Sequence, residues 1–369
     1  MRGRKHSYLG INIEILDDKR VVIDMREQIK EIVLAFGEDV STIVSSPASR
    51  HLMQVNESGI PLDPKKAETY HSLVAKLLYL KKRARPDIEP TVAFLCTRVS
   101  SPDEDDWKKL RRVMCYLNQT VDDLRYLGCS NLNSVFTWVD AAYAVHPNMR
   151  SHTGGATSLG WGIIHSKSSK QKLNTKSSTE AELVGVSEYL PHNIWLINFM
   201  KEQGYKVGHN VIYQDNQSAI RMEKNSRNSC TGNLRHIDIR YFFVKDQINK
   251  GEVTVDYCPT YQMLADFFTK PLQGKLFGAY RDVIMGWKHI DTLKSLSLHT
   301  MKEHVEKMSE ELIIVSKDSD HTKNNGGARK VTFATYADII KGSKNIKKIP
   351  VTNFEKRSHN IYPHYSALS

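Results

Sequence analysis

Residues Phe136–Val145 read FTWVDAAYAV, an apolar strand with a single carboxylate, Asp140, near its middle. An acid inside an otherwise buried strand is costly unless it is paired or holds a cation. Downstream, GGATSLGWGIIHS and KQKLNTKS supply two further strands, and residues 178–203 form one long amphipathic helix. NVIYQDN is a strand with Asp215 at its carboxyl end, RHIDIRYFFVKDQINKG is helical, EVTVDYCPT is a strand and QMLADFFTKPL is a closing helix. The order β-β-β-α-β-α-β-α predicts an α/β fold, a mixed sheet with helices against it.

The residues before this region read differently. In YLGINIEILDDKRVVIDM (Tyr8–Met25), two alternating runs flank Asp17–Arg20, which signals a hairpin. REQIKEIVLAFGE follows as a helix closing near Gly37, and the Ser-, Pro- and Asn-rich residues 41–64 look like a linker. AETYHSLVAKLLYLKKRARP is a helix stopped by Pro86, a second helix begins near Pro90, and DDWKKLRRVMCYLNQ is a third with acids in its first turn. These three make a small helical module.

After residue 296 the chain is polar and basic. From His321 onward it carries nine Lys/Arg against two Asp/Glu, a net of +7, and is expected to be disordered or ordered only on RNA or DNA. The whole chain has a net charge of +11, which suits a polyanionic partner. Five scattered cysteines with no CxxC pair argue against a disulfide framework and against a zinc ribbon. No run is apolar enough to span a membrane, and no signal peptide is evident, so an intracellular protein with no membrane partner is expected.

Four acids form the candidate site: Asp140, Glu182, Asp215 and Asp266. In-line phosphodiester hydrolysis uses one divalent ion to activate water and a second, ~3.5–4 Å away, to stabilise the leaving oxygen. Mg²⁺ takes hard oxygen ligands, so three or four carboxylates suit such a pair, with Mn²⁺ as a substitute. Each acid also has a plainer reading. Glu182 follows Thr179 at capping-box spacing, Asp215-Asn216 fits a turn or helix cap, and Asp266 fits a surface acid. Glu180, two residues from Glu182, falls on nearly the opposite helix face, so only one of the two can point into a site.

The ordered series TWVDAAYA, SSTEAEL, YQDNQSAI, RHIDIRYFF and ADFFTKPL resembles the ribonuclease H domain of copia-type LTR retrotransposon Pol polyproteins. Upstream, YLGINI, YHSLVAKLLYLKKRARPDI and WKKLRRVMCYLNQT resemble the end of the reverse transcriptase and the connection region of the same polyproteins. The resemblance implies an RNase H-like fold. It also implies four segments: 1–40 as the reverse-transcriptase end, 41–130 as the connection region, 131–295 as the ribonuclease H domain, and 296–369 as the basic tail. It gives Asp140, Glu182, Asp215 and Asp266 the role of ligands to two Mg²⁺ ions, and an RNA–DNA hybrid the role of substrate. Other parts of the polyprotein become partners, in cytoplasmic virus-like particles or the nucleus. The chain contains no Tyr-x-Asp-Asp, so no polymerase activity is expected from it alone.

For substrate contacts, Arg150, Ser151 and Thr153 lie in NMRSHTGG, whose two glycines would let backbone approach a phosphate, and Asn216, Gln217 and Ser218 follow Asp215. His236 is a substrate or a structural residue. The competing function is a non-catalytic nucleic-acid-binding remnant of a decayed element, and the four intact acids favour the nuclease.

Overall fold

In a computed structural model of the protein, residues 3–224 and 235–296 are described, together with two short strands, Val331–Phe333 and Lys347–Ile349, which pair antiparallel. One compact unit covers Met1–Ser297. The expectation for the basic tail lies outside the described residues, those two strands apart.

The N-terminal hairpin forms as read, with an extra turn at Leu9-Gly10. Strands β1 (Lys5–Tyr8), β2 (Ile11–Ile15) and β3 (Val21–Asp24) run antiparallel, with Ile15 opposite Val21 across the Asp17–Arg20 turn. Helix α1 (Arg26–Phe36) ends on Gly37 at φ 73°, where a residue without Cβ adopts the left-handed conformation freely. Helices α2 (Pro64–Arg83), α3 (Glu89–Cys96) and α4 (Glu104–Gln119) make the helical module. Asp103 and Asp106 close a capping box at the start of α4. Residues 41–63 are no loose linker: Ala48, Leu52 and Leu62 are buried in the main core, and Ser46 is fully buried.

Strand β4 (Arg125–Cys129) was not anticipated. It pairs with β3 on one side and, on the other, with β7 (Gly160–Trp161), which lies within the expected ribonuclease H segment. The first sheet, in the order β1-β2-β3-β4-β7, therefore crosses the expected boundaries at 40/41 and 130/131.

The second sheet holds β5 (Ser134–Ala142), β6 (His152–Ser158), β8 (Ile163–Lys170), β9 (His209–Gln214) and β10 (Thr254–Tyr257), in the order β10-β9-β5-β6-β8. Strands β5, β6 and β8 are antiparallel neighbours, while β9 and β10 run parallel to β5. This is the mixed α/β sheet expected. Gln171 to Ser177, expected as strand, is irregular, and Gly160 (φ 128°) and Gly162 (φ 69°) break the long central strand into three. On β5, Trp138 belongs to the larger core shared with α2, α3 and α4. Val139 belongs to the smaller core shared with α5 (Ser178–Glu202), α6 (Gln217–Lys224) and α7 (Arg235–Asn249). The pleat thus sends successive side chains to opposite layers. The expected closing helix shrinks to α8 (Asp266–Thr269), and α9 (Gly274–Ile284) follows it.

Candidate functional site

Three segments far apart in sequence bring their acids together. Asp140 lies on β5 with the parity of Trp138, so it faces the larger core and α8, and it is 3% exposed. Asp215 directly follows β9, the parallel neighbour of β5. Asp266 opens α8, which packs across β5 and β6. A carboxylate oxygen from each lies within 4.8 Å of the other two.

What lets α8 come this close is a glycine. Gly154 stands opposite Asp140 in the β5–β6 register, and a Cβ there would meet Thr269 Cγ2 at 2.6 Å and the Ala265 carbonyl oxygen at 2.8 Å. At Gly155 a Cβ would meet the Tyr189 ring of α5 at 2.3 Å. The two glycines thus make room for helices on opposite faces of the sheet. The expectation that they open the backbone to a phosphate is corrected accordingly.

The cluster carries its own cation. Lys270 Nζ sits 2.6 Å from Asp266 Oδ1 and 3.8 Å from Asp140 Oδ2. Burial works against its charge, but Asp140, Asp266 and Asp215 outweigh that and hold its pKa above the ordinary lysine value. The Asp266 carboxyl is pushed well above the usual carboxylate range, first by burial and then by Asp140 and Asp215, with Lys270 opposing. Thr269 donates its hydroxyl to Asp140, and Thr260 donates to Asp215 at 3.3 Å. The Cys258 thiol beside them is pushed up to about 12 by burial and then by Asp215 and Asp266. Converging hard oxygens whose mutual repulsion already recruits an ammonium fit a divalent cation, which would displace Lys270. Neither Lys270 nor Thr269 was anticipated. The signal was present in ADFFTKPL, where Lys270 stands four residues after Asp266 on a helical stretch.

Glu182 does not join the group of three oxygens. It is 1% exposed, in the second turn of α5. The capping reading fails: the N-cap is Ser177, whose hydroxyl accepts from the Glu180 amide at 3.2 Å, while Glu180 accepts from the Lys176 amide at 2.7 Å. Glu180, half-buried, is the residue that secures the helix start, and Glu182 is turned into the protein.

The expected substrate residues divide. Ser151 and Thr153 are fully buried, the first hydrogen-bonded to Thr175 at 3.0 Å and the second accepting from Gln171 at 3.0 Å, so neither is offered to a ligand. Asn216 caps α6, accepting from the Ser218 and Ala219 amides at 3.0 and 3.1 Å. Gln217 and Ser218 are exposed beside Asp215, and Arg150 is half-buried. The His236 side chain lies outside the described residues. No described helix is long and apolar enough to cross a membrane.

No protein-family model matches the chain. In sequence it is similar to retrovirus-related Pol polyproteins. That of transposon RE2 from Arabidopsis thaliana is 33% identical over 210 residues, 56% of this chain and 14% of that protein. That of transposon TNT 1-94 from Nicotiana tabacum is 26% identical over 289 residues, 76% of this chain and 22% of that protein. The chain therefore spans less than a quarter of the length of these relatives. Among solved structures it is similar to a ribonuclease H1 isolated from compost, with a TM-score of 0.28, 10% identity, and coverage of 37% of this chain and 92% of that one. It is also similar to a foamy viral protease-reverse transcriptase in complex with an RNA/DNA hybrid, with a TM-score of 0.38, 11% identity, and coverage of 70% of this chain and 29% of that one.

Proposed function

We propose that this chain, a relative of retrotransposon Pol polyproteins, comprises the end of the reverse transcriptase, the connection region and the ribonuclease H part of a copia-type LTR element and cuts the RNA strand of RNA–DNA hybrids. The observation that carries the reading is the convergence of Asp140, Asp215 and Asp266, three acids from three elements, on one point at the ends of β5 and β9. Like charges packed this way make a poor structural choice and a good cation site. Two divalent ions, Mg²⁺ or Mn²⁺, would supply water activation and stabilisation of the leaving oxygen.

The chain's own residues do the rest. Asp140, Asp215 and Asp266 would hold the ions, with buried Glu182 as a fourth ligand. Lys270 neutralises the acids, and its ammonium would be available to a substrate phosphate when cations take its place. Thr269 fixes the Asp140 carboxylate through its hydroxyl. Gln217 and Ser218, exposed beside Asp215, and Arg150 reach the strand being cut, where the 2′-hydroxyl distinguishes RNA from DNA. Other polyprotein parts are partners, in a cytoplasmic particle or the nucleus.

The test is direct. The full chain incubated with end-labelled RNA–DNA hybrid and Mg²⁺ should yield RNA fragments, and a chelator should stop it. Hybrid that is bound but never cut would favour the alternative, a nucleic-acid-binding remnant.

A further inference from the structure

Residues 47–56 fold against α4 and enclose with it a cavity of about 570 Å³. Lys108, Lys109 and Arg112 line it from one side of α4, with Asp105 as the single carboxylate of the lining. Lys109 already pairs with Asp105 at 3.0 Å. Lys108 and Arg112 have no acidic partner among the described residues. Arg112 donates to the Ser46 carbonyl at 3.0 Å and to its hydroxyl at 3.4 Å, and burial draws its pKa below the usual arginine value. A half-buried guanidinium with only neutral partners is stabilised by an incoming anion. Thr91, fully buried, lines the same cavity, and its hydroxyl has no hydrogen-bond partner.

The cavity wall is tied to the acid cluster. Ser46 donates its hydroxyl to Gln273 Oε1 at 3.0 Å, and Gln273 returns a bond to the Ala48 carbonyl at 2.9 Å. Gln273 stands seven residues after Asp266, which caps the separation of these two residues at about 25 Å even for extended chain.

We propose that this cavity holds a backbone phosphate of the nucleic acid whose cut phosphate lies at Asp140, Asp215 and Asp266. With the reach from Gln273 through Ser46 to Arg112 added, at 3.4 Å per step that places the held phosphate within roughly ten nucleotides of the cut. The identity of the polymer rests on the proposed function. The tie through Gln273 and the net charge of +11 favour a polymer over a free anion.

The experiment measures binding of the full chain to fluorescently labelled hybrid in chelator, across a salt series, for wild type, Lys108→Glu and Arg112→Gln. Lys108 is exposed, so its variant should keep the wild-type melting temperature. Each variant should bind several-fold more weakly at low salt, with the slope of log affinity against log salt shallower by about 0.9 per lost phosphate contact. Unchanged affinity and slope in the Lys108→Glu chain would overturn the proposal. So would a melting temperature that inorganic phosphate raises in the wild type and not in the variants while hybrid affinity stays equal, because the cavity would then serve a free anion. Binding in chelator does not depend on cleavage, so a hybrid held through this cavity but never cut counts against the proposed function alone.

Discussion

At the scale of single residues, the site is a contest between repulsion and a built-in counter-ion. Three acids share one buried lysine, so removing one negative charge relieves strain while removing a ligand. Asp140→Asn should therefore cut hybrid cleavage by orders of magnitude while leaving the apo melting temperature unchanged or higher. Retained cleavage would sink the assignment. Glu182 and Glu180 separate by burial. Glu182→Gln should lower cleavage at least tenfold and weaken divalent-ion binding measured by calorimetry. Glu180→Gln should keep activity and cost at most about 1 kcal/mol of stability through a poorer helix start. A dead Glu180→Gln beside an active Glu182→Gln would reverse their roles.

At the scale of elements, the site depends on how closely α8 approaches β6. Gly154→Ala places a Cβ against the Ala265 carbonyl and Thr269, so α8 must move and carry Asp266 with it. The expected result is a destabilisation of about 1–3 kcal/mol from overpacking, with a loss of cleavage out of proportion to it. Gly155→Ala, which meets Tyr189 on the other face, should cost similar stability with much less effect on cleavage. Equal losses of activity in the two would show that α8 is not what Gly154 positions. The acids on the sheet were legible because a carboxylate amid FTWVDAAYAV, or at the end of NVIYQDN, stands out against apolar neighbours. Strand β4 was not, since RYLGC is five residues long, contains a glycine and follows directly on a helical pattern. The cap of α5 was misplaced because Ser177, Ser178 and Thr179 are equally good caps by type, and only the fold chooses among them. The three-way meeting of Asp140, Asp215 and Asp266 is long-range, and no local pattern encodes it.

At the scale of the whole molecule, buried titratable groups set the pH range. Burial pushes His152 down to about 3, and His146 and His165 to about 4, from an ordinary 6.5, so all three are neutral in the fold. Their contribution is present above about pH 6.5 and is lost as pH falls from there through about 4 for His146 and His165 and about 3 for His152. Glu223 goes the other way: burial raises it to about 8 from 4.5, so its contribution is complete below about 4.5 and lost as pH rises through 8. In chelator, Glu223→Gln should melt above wild type at pH 9, with the gap closing by pH 5. A pH-independent gap would mean that Glu223 is not buried as a neutral acid.

The first sheet also dictates an order of events. Strand β3 waits about 100 residues of synthesis for β4, β4 waits a further 30 or so for β7, and Trp161 of β7 bridges to His289. Once made, β4 covers the edge of the hairpin, and its own far edge then stays open until β7 follows. Selection against aggregation during translation should fall hardest on that β4 edge, away from the cluster of Asp140, Asp215 and Asp266.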